Sequence, residues 1–351
     1  MRKPRIIQWG TGSMGRTTIR RILDRDDVEL VGAYVTNPDK VGRDVGEIVK
    51  RPATGIIATN DIDQILALDA DVVLHTSQIS VPYAGQNADV IRLLESGKNV
   101  ISPNGYNRPD YHGPDYAEPL RNAAIKGGAT LAGIGLNPGF IVERIALSLA
   151  GLVGGRTDMR VYEVVDASNA PSPGLVFNAM GFGSDPAVSD LRQGPVAELY
   201  DTYFAEIFDY VAEKLGTRIT EITPLHELTL APHDIAIRVG TIAKGTVAAT
   251  TWKWRAGFAD GSGMLLSILW TSSHELHGED AAAHWVIEID GRPGVRATVE
   301  LLDENPEAPP AKPAMDAMAV LLLNAVPHVM AAGPGFWDLP AILPARREVA
   351  P

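Results

Sequence analysis

Six residues near the N-terminus, Gly10-Thr11-Gly12-Ser13-Met14-Gly15, constrain the fold more than any other feature of this 351-residue chain. An apolar run from Arg5 to Trp9 leads straight into them, and a helix-spaced pattern from Ser13 to Leu23 leads straight out. Strand, glycine turn and helix in immediate succession open a parallel, doubly wound sheet. Each glycine has its own task there. Gly10 makes the sharp bend, Gly12 leaves room for a pyrophosphate, and Gly15 lets the helix lie close to the strand. The amino end of the helix then faces the anion, so a dinucleotide is expected on this loop.

The same rhythm runs through the first half. Residues 29–35, 71–75, 99–102 and 129–134 read as strands, and 82–94 and 138–149 as helices, the last with Pro138 in its first turn. From about Arg156 the texture turns β-rich, with stretches at 159–165, 234–244, 246–258, 264–271, 284–289 and 295–302. A helical insertion, in which Val196, Leu199, Tyr203, Ile207 and Tyr210 recur at helix spacing, is expected to pack on that sheet. The proline-rich stretch 305–313 reads as a stiff connector, and 315–330 as a helix returning to the first domain. The expectation is an α/β protein: a Rossmann doubly wound parallel sheet from residues 1–150 plus 311–351, and a second α+β domain, 151–310, on an open mixed or antiparallel sheet.

Composition narrows the chemistry. There is no cysteine, which removes disulfides, thiolate metal sites and a cysteine nucleophile, and makes a reducing cytoplasm the natural expectation. The formal net charge of −12 repels phosphate backbones and anionic membrane surfaces, so no nucleic-acid or membrane partner is expected. The N-terminal apolar run is broken at once by Gln8, Gly10 and Gly12, too early for an export signal. The apolar segment 317–332 carries Asn324, Pro327 and His328 and reads as shorter than the ~20 residues that span a bilayer. No Gly-x-Ser-x-Gly elbow and no Gly-Lys-Ser/Thr phosphate loop occurs. His274, His277, Glu279 and Asp280 have the look of metal ligands, but read better as a polar turn, so no metal is expected.

The second strand runs into Thr36-Asn37-Pro38-Asp39-Lys40, with no acid at its tip to hold an adenosine ribose. Thr36 and Asn37 can hydrogen-bond there without repelling a phosphate, and Lys40, Arg43 and Arg16 can supply positive charge. NADP is therefore expected ahead of NAD. Counted as the fourth and fifth strands, the segments ending at His75-Thr76-Ser77 and Ser102-Pro103-Asn104-Gly105 should line the crevice where cofactor and substrate meet. Thr76 and Ser77 are candidates for the diphosphate or the nicotinamide ribose. His75 reads as a residue satisfied by a local backbone partner.

Gly10 to Gly15, the stretch Gly133-Ile134-Gly135-Leu136-Asn137-Pro138-Gly139-Phe140, and the tail Asn324-Ala325-Val326-Pro327 with Asp338-Leu339-Pro340 together resemble the 2,4-diaminopentanoate dehydrogenase and native amine dehydrogenase family, within the dihydrodipicolinate reductase-like superfamily. The resemblance covers nearly the whole chain. It lacks the His-His-x-x-Lys motif of dihydrodipicolinate reductase itself. It implies NAD(P)-dependent oxidative deamination of an amine, or reductive amination of a small ketone or aldehyde with ammonia, by hydride transfer. It also implies an apolar pocket for the substrate, for which Leu136, Asn137, Phe140, Val176 and Phe177 are candidates, and it adds Asn324 to the cofactor contacts. The family usually places a glutamate just beyond the fifth strand; here Asn104-Gly105-Tyr106 occupies that region. Asparagine can orient a nitrogen but cannot take its proton. Asn104 and Tyr106 are the first candidates in the slot, with Asp110, Glu143 and Asp166 as other sources of the acid–base group. A homodimer through the β-rich domain is expected, because an open sheet needs its outer face covered. A carbonyl reductase and a catalytically silent dinucleotide-binding protein are the alternatives.

Overall fold

A computed structural model describes residues 2–80, 82–170, 172–277, 284–303, 305 and 311–338. The chain forms two compact units, one from residues 2–136 and 315–338 and the other from 137 to 314 within the described ranges. In the first unit, strands β1 (Arg5–Trp9), β2 (Glu29–Tyr34), β3 (Val72–His75), β4 (Asn99–Ser102) and β5 (Thr130–Gly133) are joined by the short strand Gly335–Phe336. All pairings are parallel, and the spatial order is β2, β1, β3, β4, β5, then Gly335–Phe336. The order reverses between β1 and β3, the switch point where such sheets take their ligands.

Alternation along the strands explains the helices on both faces. Ile6, Val72, Leu74, Ile101 and Ala132 belong to one core, closed by Ile19 and Ile22 of the helix Ser13–Leu23 and by Leu322, Leu323, Val326 and Val329 of the helix Ala311–Ala331. Ile7, Val73, Val100 and Leu131 belong to the other, closed by Val90, Leu93 and Leu94 of Asn87–Glu95 and by Leu120, Ala123 and Ala124 of Pro114–Gly127.

Several expectations change. Only isolated bridges, Tyr34 with Thr59 and Asp44 with Ile57, form between β2 and β3, so the strands ending at His75 and Ser102 are the third and fourth. The late helix begins at Ala311, because Pro313 falls in its first turn where no N–H is needed. Its residues Lys312–Ala331 are apolar and long enough to cross a bilayer, which corrects the shorter reading. Leu322, Leu323, Val326 and Val329 on one face are buried against the sheet, while Val320 and Met330 are exposed.

The second unit is built on β6 (Asp158–Asp166), β7 (Ile219–Pro224), β8 (Glu227–Leu230), β9 (Ile235–Ile237), β10 (Gly240–Ile242), β11 (Val247–Phe258), β12 (Gly263–Thr271), β13 (Trp285–Asp290) and β14 (Val295–Val299). Its main sheet runs β14, β13, β6, β12, β11, β7, with β8 also on β11. β6 and β12 pair in parallel and the other neighbours antiparallel, so the sheet is mixed. The expected single stretch 234–244 is a separate hairpin of β9 and β10. The helix Pro195–Lys214 packs on the sheet through aromatic side chains: Phe204 lies 4.6 Å from the Trp254 ring, and Tyr200 4.7 Å from Trp252. The Trp254 Nε1–H donates to Asp201 at 2.6 Å, fixing the helix's register.

Candidate active site

At the switch point β1 ends in Gly10, whose φ of +87° needs glycine. Its N–H donates to the Tyr34 carbonyl at 2.9 Å. Gly15 sits on the first turn of the following helix, and a Cβ there would lie 2.0 Å from the Gly10 carbonyl oxygen and 3.0 Å from Thr76 Oγ1. Gly12 is different: a Cβ built on it meets nothing within 4 Å. The helix has no side-chain cap and no acid in its first turn, so its leading N–H groups remain available to an anion. Gly12 and Ser13 are exposed, while Thr11 is buried. This open face over a helix end fits a dinucleotide pyrophosphate.

A residue that carried no sequence signal braces the loop. Gln8 is fully buried on β1, and its Nε2 donates to Thr76 Oγ1 at 2.7 Å and to the Gly10 carbonyl at 3.0 Å. Thr76 in turn points its hydroxyl at the Trp9 carbonyl, 3.2 Å away. Thr76 therefore ties β3 to the loop, and Ser77 follows it with its carbonyl engaged by Asn104. His75 is buried and stacked 5.9 Å from Trp9, and neither ring nitrogen bonds to another residue. Burial drives its pKa down to about 4 and keeps it neutral.

Beside the loop lies a group of cations. Lys40 Nζ donates to the Thr11 carbonyl at 2.7 Å and to Thr11 Oγ1 at 3.2 Å. Its pKa is lowered by desolvation first, and then by the charges of Arg16 and Arg43. Arg43 is paired with Glu47 at 2.7 Å, whereas Arg16 has no acidic partner among the described residues. Asn37 turns inward to accept the Asp39 N–H at 2.9 Å, and Thr36 is exposed at the strand tip. Lys40, Arg16 and Arg43 thus form a cluster of mutually repelling cations near the end of β2.

Past β4, Asn104 Nδ2 donates to the Ser77 carbonyl at 2.6 Å. A carboxylate in this place would face that carbonyl oxygen without a proton to offer, which gives a local reason for asparagine. Tyr106 follows with φ of +64°, a left-handed conformation that costs a side-chain-bearing residue about 1 kcal/mol or more. Its hydroxyl donates to Asn87 Oδ1 at 3.1 Å. Asn104, Gly105 and Tyr106 line a small open cleft with Tyr83, Gln86 and Tyr116.

In the second unit, Pro138 forces the residue before it out of helical geometry, and Asn137 is extended at φ −134°, ψ 130°. Its side chain leaves the helical run Leu136–Ala146 and donates from Nδ2 to Glu163 Oε2 at 3.0 Å. Trp285 Nε1 donates to the other oxygen, Oε1, at 3.0 Å. Burial pushes the Glu163 carboxyl up to about 7 despite both donors. Sequence reading named Asn137 but missed Glu163, which sits within a strand with no motif of its own. Because the folded pKa lies above the ordinary 4.5, wild-type stability is fully present below about pH 4.5 and declines as pH rises through about 7. A Glu163→Gln variant, lacking this titration, is expected to gain in Tm relative to wild type from acid to alkaline pH; parallel melting profiles would contradict that.

The remaining candidates are dispersed. Val176 is a core residue of a cluster with Met180, Phe182, Ile235 and Val247, against which Phe177 packs. Phe140 is exposed on the helical run after Asn137, and Leu136 is half-buried. Asn324 is exposed and accepts from Arg25 Nη1 at 3.3 Å, just beyond the C-terminal end of Ser13–Leu23. That is the opposite end of the helix from the glycine loop, so Asn324 is not grouped with it. His274 Nε2 lies 3.2 Å from Asp166 Oδ2, and His277 Nε2 2.9 Å from Thr271 Oγ1; Glu279 and Asp280 fall outside the described residues. Leu339 and Pro340 also fall outside them.

Sheet order, glycine loop and open helix end define the class: a Rossmann-type NAD(P)-binding domain joined to a second domain on a mixed sheet. The dihydrodipicolinate reductase N-terminus matches residues 5–100. The chain is 28% identical over 345 residues to an amine dehydrogenase of Streptomyces virginiae, covering 95% of this chain and 94% of that protein. It is 25% identical over 357 aligned positions to a 2,4-diaminopentanoate dehydrogenase of Acetoanaerobium sticklandii, covering 97% and 94%. The fold matches the structure of an amine dehydrogenase from Mycobacterium smegmatis with a TM-score of 0.77 at 19% identity, over 96% of this chain and 95% of that one. The chain is thus similar, over nearly its full length, to an amine dehydrogenase and to a 2,4-diaminopentanoate dehydrogenase.

Proposed function

We propose that this protein is an NADP-preferring amine dehydrogenase, catalysing oxidative deamination of a primary amine and, in reverse, amination of a ketone or aldehyde with ammonia. The observation that carries the reading is homology to an amine dehydrogenase across 95% of the chain, with the dinucleotide loop intact in this sequence. When bound, the nicotinamide supplies acceptance or donation of a hydride at the amine carbon. The chain's own part is binding and positioning. Thr11 to Arg16 receive the pyrophosphate at the helix end, Gln8 and Thr76 hold the loop in shape, and Asn104 and Tyr106 beyond β4 orient the substrate.

The 2′-phosphate of NADP is taken by Arg16, Lys40 and Arg43. Arg16→Ala and Lys40→Ala are each expected to weaken NADPH binding by about tenfold or more, since a charge-assisted bond is worth about 1.5–3 kcal/mol, and to leave NADH binding within about threefold. Equal losses for both coenzymes, measured by nicotinamide fluorescence titration, would contradict NADP preference. The working protein is a cytoplasmic homodimer through its second sheet, which light scattering of the purified chain tests directly. The activity is tested with a panel of primary amines and NADP, following coenzyme reduction and free ammonia together. Equimolar release of both supports the reading. Coenzyme binding with no turnover of any amine favours a silent binder.

A further inference from the structure

Resting on the amine dehydrogenase reading, we infer that the small cleft beyond β4 is a seat for ammonium, held by the amide oxygens of Asn104 and Gln86 against the ring of Tyr116. The cleft lies wholly within the first unit, at the carboxyl end of a parallel strand, the side on which such sheets take their ligands. It has room for a group about the size of a water molecule. A whole branched amine does not fit that space, whereas ammonium does.

The polar groups there are sorted by role. Asn104 Nδ2 donates to the Ser77 carbonyl at 2.6 Å, and Gln86 Nε2 donates to the Gln78 carbonyl. A carbonyl can only accept, so the nitrogen end of each amide is fixed on the loop after β3 and cannot be exchanged with the oxygen end. Asn104 Oδ1 and Gln86 Oε1 are left as acceptors, and neither takes a hydrogen bond from a described residue. Two hydroxyls are also spent as donors, Ser80 on the Pro82 carbonyl at 2.9 Å and Tyr106 on Asn87 Oδ1 at 3.1 Å. A substrate carbonyl or carboxylate oxygen would therefore meet donors that are already engaged.

The rings favour the same kind of guest. Tyr83 and Tyr116 stack at 5.8 Å between centroids, and His112 packs 4.9 Å from one and 4.8 Å from the other, fixing both. Gly105, at φ +100°, lets the Tyr83 hydroxyl close over the turn, since a Cβ there would lie 2.9 Å from that oxygen. None of the described residues that line the cleft is charged. Free acceptors beside the negative face of an aromatic ring select a small cation with N–H bonds on every side. The seat would take the nitrogen substrate of amination independently of the ketone.

The test uses the full chain, nitrogen-labelled, at mildly alkaline pH. The probe is ammonium chloride, with sodium chloride and tetramethylammonium chloride at equal ionic strength. The side-chain amide resonances of Asn104 and Gln86 are expected to shift saturably with ammonium and not with the other two salts. Gln86→Leu removes a charge-assisted acceptor and is expected to weaken that titration about tenfold or more. Tyr116→Leu should weaken it as well, while Tyr116→Phe, which keeps the ring, should not. In amination, Gln86→Leu should raise the KM for ammonium about tenfold with NADPH affinity retained, a split that general damage to the fold would not give. Equal shifts with sodium, no saturable shift, or an ammonium titration unchanged in Gln86→Leu would overturn the assignment. A wild type inactive on every ketone contradicts the proposed function instead, and the amide titration still decides whether ammonium binds here.

Discussion

Replacing Gly12 by valine is expected to weaken NADPH binding at least about 100-fold while the protein stays folded. Nothing lies within 4 Å of a Cβ at this position, so the added side chain collides with no part of the protein and fills only the space above the helix end. Gly12 is also the N-cap of that helix, where valine is poorer than glycine by about 1 kcal/mol, so Tm should fall by no more than about 4 °C. Retained affinity in isothermal titration would show that the pyrophosphate does not lie on this loop.

Gly15→Ala should have the opposite signature. A single methyl group there sits 2.0 Å from the Gly10 carbonyl oxygen, which is backbone and braced by Gln8. The helix must move away from the strand, costing about 3 kcal/mol or more, roughly 10 °C in Tm. Affinity for NADPH should fall as a consequence of the displaced loop. A melting temperature equal to wild type would contradict the close approach. Two glycines three residues apart thus separate binding from folding.

The contrast also shows what could be read in the chain before its fold was known. The strand-loop-helix around Gly10 and the long strands 246–258 and 264–271 were legible because local pattern and tertiary role agree there. The helix Pro114–Gly127 was missed because Pro119 lies inside it and the apolar period is weak. Strands β7 and β8 were missed because they lie at the sheet's edge, largely exposed, and show little alternation. In the second unit, Asn137 was visible through its proline and glycine neighbours. Glu163 and Gln8 were not, since each acquires its role only from partners distant in sequence: Trp285 for one, Thr76 for the other. A lone buried polar residue in a strand leaves no periodic trace.

The most direct test of amine dehydrogenase activity is NADPH oxidation by the purified chain over a panel of ketones, at alkaline pH, with and without ammonium. The account predicts oxidation that depends on ammonium and yields the corresponding amine. NADPH consumption that proceeds equally without ammonium, giving an alcohol, would contradict it.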